Sequence, residues 1–418
     1  MATPGASVVC VIGAGPGGCS ATLRLRQLGI PTILIDKAVF PRDKVCGDAL
    51  SGKVMRTMER LDKELVKEVM GDALLQRSWG VTFVAPGGGV LRVPFSREVG
   101  KGEAPGAILR RLRFDDLLFQ RTLASGASVL QGHVVRSFEH TQCGWRLGAQ
   151  GPDGPRSIHA SMVLDASGAN SVFARQVGGL SLRPEHHAAG VRAYYNGVKG
   201  LDADGFIELH FLRSLLPGYL WVFPLPGGRA NVGLGLRSDV VRERRIDLKA
   251  ELVRLVQEHP TLRDRFAEAQ LECAIQGMGL PLGSKRYPIS GDGYLLIGDA
   301  AHLIDPFTGE GISHAMISGV HAAEVAADML ARNDLSATAA KAYDDRVWKR
   351  LGQELSISTR LQRLAKRSWL FDLVVDRATK NPALADTIAC MFTDLDLRAR
   401  LKNPGFYWEL VRGGLVKA

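Results

Sequence analysis

The first strongly patterned stretch of the chain is a continuous apolar run over residues 8–12, which a cluster of glycines follows at once. An unbroken, mostly β-branched run is typical of a strand that is buried on both faces in a parallel sheet. Residues 17–28 carry Ala and Leu at helical spacing up to Gly29, and a second apolar run over residues 31–35 ends at Asp36. The pattern predicts a strand, a tight turn, a helix and a second strand.

Two longer regions, residues 79–95 and 190–237, alternate apolar and polar positions between glycines. A period of two is typical of strands that bury one face, so we predict an antiparallel sheet here. Residues 247–270 are predicted as one helix with a charged interior. From Ala337 onward the pattern is helical and basic, and the apolar run 368–375 predicts a terminal helix that packs on the protein, caps an apolar cavity or touches a membrane surface.

Composition narrows the classes of protein to consider. The chain has 418 residues, 46% hydrophobic and 23% charged, which is ordinary for a globular protein with two or three substructures. No apolar run approaches the ~18 residues that a membrane-spanning helix needs. The first residues lack a basic leader, so we expect neither a spanning segment nor a secretion signal.

The cysteines and the net charge bear on location and partners. Six scattered cysteines form no CxxC pair and no Cys/His metal spacing, so we expect reduced thiols, a cytoplasmic location and no metal. The net charge of +10 suits a phosphate-bearing substrate or an anionic membrane surface, although spread-out Lys and Arg also serve solubility. No nucleic-acid-binding signature is present, so we expect no such partner; the residues do not indicate an oligomeric state.

The glycine cluster after the first strand is suited to holding a pyrophosphate. In a turn of this kind, Gly13 permits the bend, Gly15 lets the anion approach the backbone, and Gly18 lets the helix pack against the strand. The helix N-terminus then directs backbone N–H groups toward the anion. Pro16 lies in the same turn and is assigned to the same site.

The acid that ends the second strand completes the unit. Asp36 lies 23 positions after Gly13, a separation that suits a carboxylate hydrogen-bonded to a ribose hydroxyl. We assign Asp36 and the adjacent Lys37 to the cofactor. The residues predict a dinucleotide site and leave open whether the dinucleotide is FAD or NAD.

A second fingerprint lies near the other end of the chain. Residues 294–299 form an apolar strand ending in Gly-Asp, and the loop 305–312 and a helical run to Leu330 follow it. The segment resembles the second flavin fingerprint of the glutathione-reductase-like, para-hydroxybenzoate-hydroxylase-type flavoproteins. The resemblance implies that Asp299 binds the ribityl chain and that the loop lies beside the isoalloxazine ring, where N–H groups at a helix start stabilise negative charge. The loop residues assigned to FAD are Pro306, Gly309, Gly311 and Ile312.

Three further segments extend this resemblance. Arg111 opens an R-x-x-F-D-x-x-L pattern, which in these flavoproteins lies on a helix whose arginine reaches the cofactor. Residues 126–134 read as a return strand whose end, at Val134, would pass the adenine. Around Asp165, Ser167 takes the place of the Asp in an A-D-G segment that helps hydroxylases of this fold bind both FAD and NADPH. How a nicotinamide would be recognised here is therefore left open.

Two segments point to one branch of these flavoproteins. Residues 41–51 resemble the P-x-x-K-x-C-G-x-x-x-S element of the geranylgeranyl reductase family, and residues 217–233 resemble its Y-x-W-x-F-P…V-G element. The resemblance implies that Cys46 and Gly47 lie near the flavin. An inert buried thiol is the alternative interpretation of Cys46.

The second element carries an aromatic stripe. Tyr219, Trp221 and Phe223 alternate onto one face of a strand, which gives an aromatic wall suited to an apolar substrate. Taken without the resemblance, such a stripe is more often part of a core. The family resemblance implies that it lines the pocket for a prenyl chain.

The fold class expected from these features is α/β (α+β overall): a glutathione-reductase-like Rossmann FAD domain with an interleaved antiparallel-sheet substrate domain and C-terminal helices. The FAD domain is expected to be discontinuous. We predict an FAD domain over 1–75, 106–178 and 285–330, a substrate domain over 76–105 and 179–284, and a helical region over 331–418.

The function expected first is that of an FAD-dependent ene-reductase acting on a prenyl or other long apolar small molecule. Cys46, Tyr219 and Trp221 would shape the reacting pocket, and NAD(P)H or another electron donor would serve as reductant. The alternative is a monooxygenase of aromatic or polyketide-like compounds, since His302 stands in a G-D-A-A-H segment frequent among hydroxylases. A flavin-dependent halogenase and a non-catalytic flavin-binding protein rank below these.

Overall fold

The structure is a computed structural model, and it describes residues 8–96 and 98–381. In chain order the strands are β1 (Val9–Ile12), β2 (Thr32–Ile35), β3 (Ala49–Leu50), β4 (Gln76–Ser78), β5 (Gly80–Val84), β6 (Val90–Pro94), β7 (Gly106–Ile108), β8 (Ser128–Leu130), β9 (Val134–Thr141), β10 (Gly144–Gly151), β11 (Gly154–Ala160), β12 (Met162–Asp165), β13 (His187–Asn196), β14 (Ile207–His210), β15 (Tyr219–Leu225), β16 (Arg229–Arg237), β17 (Gln270–Leu271), β18 (Gln276–Pro281), β19 (Ser290–Gly291) and β20 (Tyr294–Leu296). The α-helices are α1 (Pro16–Gln27), α2 (Gly52–Leu61), α3 (Lys63–Met70), α4 (Arg111–Ala124), α5 (Val172–Gln176), α6 (Ser238–Arg244), α7 (Leu248–Glu258), α8 (Arg263–Phe266), α9 (Ile312–Ala331), α10 (Ala337–Leu364) and α11 (Ser368–Lys380), with 3₁₀ turns at Pro184–His186 and Gly298–Ala301.

The strand–turn–helix–strand unit predicted at the start of the chain is confirmed. β1 and β2 pair in parallel, and α1 connects them. They lie inside a six-stranded sheet of order β19-β20-β12-β1-β2-β8. All four residues of β1 are buried, as its continuous apolar pattern predicts.

The same sheet brings the two fingerprints together. β12 pairs in parallel with both β1 and β20, so that Ile12, Asp165 and Leu296 lie in register at the carboxyl ends of neighbouring strands. The helices that follow these strands pack closely, because a Cβ on Gly319 of α9 would overlap the Gly17 carbonyl oxygen of α1. Segments almost 300 residues apart in sequence therefore form one continuous edge of the molecule.

The second large sheet has eight strands. β17 and β18 both pair with β13, and the order continues β16-β15-β14-β5-β6. The predicted antiparallel pairing holds for every pair except β14 with β5, which run parallel. The chain crosses the first sheet between these two strands, and a parallel pair requires such a long connection.

Two element predictions are wrong. Residues 247–270 form two helices rather than one, because Pro260 cannot donate a backbone hydrogen bond and the residue before it, His259, is extended, with ψ at 128°. The return strand predicted over 126–134 ends at Leu130. A turn that contains Gly132, whose φ is +68°, separates it from β9, which starts at Val134 in a different sheet.

The C-terminal helices pack on the protein, as expected. On α11, the ring of Phe371 lies 4.2 Å from that of Phe211, and Val375 and Ala378 are buried beside it. None of the helices in the described ranges combines the length and apolar character needed to cross a bilayer. The prediction for residues 382–418 lies outside the described residues.

Candidate active site

A cavity of about 530 Å³ lies between the carboxyl edge of the six-stranded sheet and the face of the eight-stranded sheet. We call its two sides the cofactor wall and the aromatic wall. The cofactor wall comprises residues 13, 15–17, 36–38, 42–44, 166–170, 299 and 305–312, and the aromatic wall comprises Tyr219, Trp221 and Phe223. The loop 45–51 lies between them.

The glycine turn has the geometry that its sequence predicts. Gly13 has a φ of +99°, which residues with a side chain rarely adopt. A Cβ on Gly18 would overlap the Gly13 carbonyl oxygen, so this glycine permits the helix to pack and does not itself line the cavity. A Cβ on Gly15 would have only the Arg42 guanidinium within 4 Å, at 3.6 Å, so the start of α1 opens directly onto the cavity.

Asp36 holds the turn from the second strand. Its Oδ2 accepts a hydrogen bond from the Ala14 backbone N–H at 2.6 Å, and its Oδ1 accepts one from Ala38 N–H at 2.8 Å. Asp36 and Lys37 both line the cavity. The carboxylate therefore fixes the turn through one oxygen while it borders the space beside the helix start.

The loop 305–312 is closed by its own first residue. The buried Asp305 carboxylate accepts hydrogen bonds from the N–H groups of Phe307 and Thr308, at 2.9 and 2.8 Å. Gly309 has a φ of +73°, and the loop ends where α9 begins, at Ile312. The loop residues predicted to contact FAD all line the cavity: Pro306, Gly309, Gly311 and Ile312.

Asp299 lies on the cofactor wall beside a cation. The Lys44 Nζ is 3.2 Å from its Oδ2, and both residues line the cavity. Lys44 belongs to the P-x-x-K-x-C-G segment, so this ion pair ties the Cys46 loop to the second fingerprint.

Arg111 lines the cavity, but its guanidinium is already paired. Its Nε and Nη2 donate to the two carboxylate oxygens of Asp115 at 2.6 and 2.7 Å, and Arg42 binds the same carboxylate at 2.5 Å. Burial would raise the pKa of Asp115, but the two guanidinium groups hold that pKa below its usual range. Arg111 also contacts Cys46, so it faces the loop 45–51.

Ser167 replaces an acid without leaving a free hydroxyl. Its N–H and Oγ both bond to Oδ1 of Asp165, at 3.2 and 2.6 Å, and Ser171 Oγ donates to Oδ2. Burial raises the pKa of Asp165. Ser167 borders the cavity, whereas Asp165 is one step behind it.

The three aromatic residues share one face of β15, as predicted, and all line the cavity. Neighbouring ring centroids along the strand are 6.3 Å apart. The Tyr219 hydroxyl donates to the Thr308 carbonyl, which connects the aromatic wall to the cofactor wall. Burial raises the pKa of Tyr219, so this phenol is protonated at neutral pH.

Asn231 joins the aromatic wall to the Cys46 loop. Its Oδ1 accepts from Trp221 Nε1 at 2.9 Å, and its Nδ2 donates to the Cys46 carbonyl and to Asp48 Oδ2, both at 2.8 Å. The amide is fully buried, so these bonds use all of its polar groups in a dry environment. Gly47 completes the contact, because a Cβ there would come within 2.7 Å of the Phe223 ring.

Asp48 is a fully buried carboxyl at the edge of the cavity. Its Oδ2 accepts from the Tyr194 hydroxyl at 2.6 Å as well as from Asn231. Burial raises its pKa to about 6, although these hydrogen bonds act in the opposite direction.

A cluster of buried charges supports the loop 305–312 from behind. Lys53 binds Glu354 and lies 3.8 Å from Glu310, and Ser51 donates to Glu310. His314 lies 3.5 Å from Glu354. Burial would lower the pKa of Lys53, but the two carboxylates raise it, so the ammonium form persists.

Two residues named in the sequence analysis lie outside the cavity. Val134 is not among its lining residues, because the preceding strand ends at Leu130 and the chain turns before β9. His302 is buried against Tyr287, with ring centroids 5.4 Å apart, and it does not line the cavity either. Burial lowers the pKa of His302 to about 4, so the ring is neutral at physiological pH.

Several cavity residues were not singled out from the sequence. Asp48 and Asn231 stand inside the segments that carry the family resemblance, and Arg42 lies in the first of them, but nothing in their spacing indicates that they meet. Within residues 8–96 and 98–381, no group of three His, Cys, Asp or Glu side chains is arranged to hold a metal ion.

The residues of the cofactor wall fit FAD. The open helix start at Gly15 offers backbone N–H groups to a pyrophosphate, and Asp36 and Asp299 are carboxylates that can accept hydrogen bonds from hydroxyl groups. The start of α9 offers a second set of N–H groups beside the aromatic wall.

Comparisons with known proteins agree with this geometry. The FAD binding domain family matches residues 6–202. Digeranylgeranylglycerophospholipid reductase from Thermoplasma volcanium is 30% identical over 369 residues, which are 87% of this chain and 86% of that protein. Menaquinone reductase from Mycobacterium tuberculosis is 28% identical over 369 residues, 86% of this chain and 84% of that protein.

A solved structure has the same fold over nearly the whole chain. The crystal structure of a geranylgeranyl bacteriochlorophyll reductase-like protein from Thermoplasma acidophilum aligns with a TM-score of 0.80 and 25% identity, covering 98% of this chain and 99% of that one. The predicted fold class and the FAD cofactor are confirmed. The chain belongs to the geranylgeranyl reductase family of FAD-dependent oxidoreductases.

Proposed function

We propose that the protein reduces carbon–carbon double bonds in a prenyl or other long apolar substrate. One observation carries the proposal: the cofactor wall and the aromatic wall line a single cavity and are tied together by hydrogen bonds from Tyr219 and Asn231. FAD supplies the hydride when it is bound and reduced. The chain itself contributes orientation of the alkene and exclusion of water.

The names of the relatives support this substrate class. The Thermoplasma protein is named for digeranylgeranylglycerophospholipid and the Mycobacterium protein for menaquinone. Both compounds carry long isoprenoid chains attached to a polar group. An isoprenoid lipid is therefore the substrate class that we infer for this chain.

The aromatic wall orients the substrate in this proposal. Tyr219, Trp221 and Phe223 give an isoprenoid chain a flat apolar surface, and Ile207 and Leu209 continue the apolar lining. The hydrogen bonds that hold Tyr219 and Trp221 fix the angles of their rings. Fixed rings present one position of the chain to the cofactor wall.

The loop 45–51 closes the reacting region from the side. Cys46 lines the cavity, and its carbonyl is held by Asn231, so the thiol is presented from a fixed backbone. We assign Cys46 to positioning the reacting carbon atoms. The proton that completes the reduction comes from water or from a nearby donor.

The electron donor is a separate question. We infer NAD(P)H or another reductant, since the A-D-G acid that helps bind NADPH in related hydroxylases is Ser167 here and its hydroxyl is bonded to Asp165. Anaerobic reduction of the flavin by NADPH, NADH and dithionite in parallel measures the preference. Reduction by dithionite alone would exclude both nicotinamides as donors.

The proposed roles in binding the cofactor and the substrate follow the predicted domains. We propose a cofactor domain over 1–75, 106–178 and 285–330 and a substrate domain over 76–105 and 179–284, and from the predicted helical region the described helix α10 reaches the cavity through Gln362. A cytoplasmic protein that takes an isoprenoid lipid meets it at a membrane surface, so we propose peripheral contact with the bilayer.

The decisive experiment is anaerobic. The flavin of the purified protein is reduced, mixed with geranylgeranyl diphosphate or a prenyl-lipid extract, and its reoxidation is followed by absorbance. The proposal requires reoxidation without oxygen and a product heavier by two hydrogen atoms. Protein mixed with saturated phytanyl lipid is the control, and its flavin stays reduced.

The monooxygenase alternative gives the opposite outcome. Its flavin would stay reduced until air enters, and the product would then contain oxygen. His302, the residue that motivated this alternative, does not reach the cavity.

A further inference from the structure

A second pocket lies on the surface beside α10, separate from the cavity. Its volume is about 400 Å³, and its walls come from the loop after β18 and from one face of the helix. We call it the basic pocket. It is lined by Gly283, Ser284, Arg286, Trp348, Gly352, Leu355, Ser356, Thr359, Arg360 and Arg363.

The charge of the basic pocket is of one sign. Arg286, Arg360 and Arg363 are exposed, and within the described part of the chain none of them forms an ion pair. No carboxylate is among the residues that line the pocket. Elsewhere on this protein many exposed arginines do pair with acids, as Arg254 does with Glu251.

The Arg286 side chain packs against Trp348 and Gly352 of α10. Its guanidinium lies over the Trp348 ring, with its central carbon 5.5 Å from the ring centroid. A Cβ on Gly352 would come within 2.6 Å of its Nη2, so this buried helical glycine makes room for the guanidinium across α10. A glycine in a helix interior is unfavourable, and here it leaves the space that the Arg286 guanidinium occupies.

The basic pocket adjoins the cavity through two pairs of consecutive residues. Leu282 lines the cavity and Gly283 lines the pocket; likewise Gln362 lines the cavity and Arg363 lines the pocket. The Gln362 amide donates to the Pro306 carbonyl, which ties this partition to the cofactor wall. The basic pocket and the cavity therefore share one partition, and a ligand that spanned it would have its apolar part in the cavity and its polar part at the surface.

We propose that the basic pocket binds the phosphate or diphosphate group of the substrate, so that an anionic headgroup stays in water while its isoprenoid chain enters the cavity. Guanidinium groups bind phosphate oxygens through paired N–H donors, and three of them around one pocket match a multiply charged oxyanion. Burying such an anion against the apolar aromatic wall would be very unfavourable, whereas the guanidinium groups of the basic pocket leave it in contact with water. The headgroup assignment rests on the proposed function; the phosphate site does not.

The first test measures binding without turnover. Inorganic pyrophosphate is titrated by calorimetry into the FAD-loaded protein and into the triple variant Arg286→Gln, Arg360→Gln, Arg363→Gln. We expect affinity to fall at least about tenfold in the variant and to fall with added salt in the wild type. Equal affinity in both proteins would overturn the site.

A matched control removes the same charge elsewhere. Arg77, Arg136 and Arg175 are exposed, have no ion pair in the described part of the chain and do not line either pocket. The triple variant with Gln at these positions must bind pyrophosphate like the wild type. A similar loss of affinity in this control would reduce the effect to net charge and overturn the site.

A single substitution tests the position of the Arg286 guanidinium. Gly352→Ala places a methyl group against the guanidinium and leaves the total charge unchanged. We expect pyrophosphate affinity to fall severalfold. An unchanged affinity, with the triple variant weakened, would leave the site with Arg360 and Arg363 and would overturn the role of Arg286.

The second test identifies the source of the phosphate. The arginine triple variant should raise KM for geranylgeranyl diphosphate and leave KM for the uncharged alcohol geranylgeraniol unchanged. A rise in KM for NADPH but not for NADH would instead assign the pocket to the nucleotide phosphate and overturn the headgroup assignment. If the wild type reduces no alkene, the proposed function fails, and pyrophosphate binding still decides the site.

Discussion

The two walls of the cavity are held in place by different parts of the chain: one by backbone geometry and the other by side-chain contacts. The cofactor wall is built from backbone: positive φ at Gly13 and Gly309, the open helix start at Gly15 and N–H groups held by Asp36. The aromatic wall is built from side chains that alternate along β15 and are held by partners on the neighbouring strand β16 and in two loops. Local backbone geometry serves a cofactor of constant shape, whereas a packed side-chain surface can differ between substrates without disturbing it.

The largest effect is expected from a single methyl group at Gly18, directly behind the cofactor wall. Gly18→Ala places a Cβ on the Gly13 carbonyl oxygen, and backbone atoms cannot move aside as a flexible side chain can. We expect purified protein that retains almost no flavin, measured as absorbance of flavin per polypeptide.

The matched control for this variant is Gly277→Ala. A Cβ at this exposed position on β18 finds its nearest neighbour at an ordinary 3.7 Å. It should retain flavin like the wild type. Full flavin content in Gly18→Ala would contradict the tight approach of α1 to the turn.

Asn231→Ala breaks the connection between the walls. Three hydrogen bonds are lost: the buried Asp48 carboxylate loses one donor, and the partly buried Trp221 N–H and Cys46 carbonyl are left without partners. Each buried group left unpaired costs about 1–3 kcal/mol, so we expect the free energy of unfolding to fall by about 3 kcal/mol or more. Chemical denaturation monitored by circular dichroism measures this loss.

The exposed amide Asn196, at the end of β13, provides the comparison for that measurement. Asn196→Ala should change the unfolding free energy by less than about 0.5 kcal/mol. Similar losses in the two variants would mean that the Asn231 network contributes no more than an ordinary surface position.

Asp48 should make stability depend on pH. Its pKa of about 6 in the folded protein lies above the ordinary value of 3.8, so between these values the folded state binds a proton that the unfolded state has released. Stability contributed by this group is therefore present below about pH 4 and is lost as pH rises to about 6, by about 3 kcal/mol in total. Asp48→Asn cannot ionise and should lack this loss.

The measurement is the difference between wild type and Asp48→Asn in denaturant unfolding at several pH values from 4 to 7.5. Other carboxylates titrate equally in both proteins, so the difference isolates Asp48. A difference that does not change with pH would place its pKa outside this range.

Trp221→Ala tests whether the aromatic wall binds substrate independently of the cofactor wall. It removes an aromatic surface from the cavity and leaves the cofactor wall intact. We expect KM for an isoprenoid substrate to rise about tenfold, corresponding to about 1.4 kcal/mol, with flavin content unchanged. Trp221→Phe keeps a ring and should recover most of that affinity; loss of flavin in either variant would contradict the separation of the walls.

The sequence predicts those parts of the site that a short stretch of chain encodes, and it does not predict contacts between distant segments. Gly13 and Asp36 were found because a turn, a helix and two adjacent strands are encoded in one short stretch. The aromatic stripe was found because period-two alternation is also local. The contact of Asn231 with Asp48 spans 183 residues and two sheet systems, and no local pattern encodes it.

Two of the wrong predictions have local causes. Residues 126–134 have the pattern of one strand, which predicts Val134 on the adenine side, but the turn at Gly132, with its positive φ, ends that strand earlier. Residues 247–270 looked like one helix because the charge pattern continues through Pro260, although a proline there ends a helix. The parallel pairing of β14 with β5 depends on chain topology, which periodicity does not contain.

The absence of a side chain at Gly47 has a consequence for the order of folding. In the folded protein the Phe223 ring lies against this glycine, and β15, which carries that ring, comes much later in the chain. Contacts between such distant segments form late, because the intervening chain must first be ordered. The contact between the Cys46 loop and β15 therefore cannot form until β15 has been synthesised, whereas the nucleotide turn and Asp36 lie within the first 36 residues.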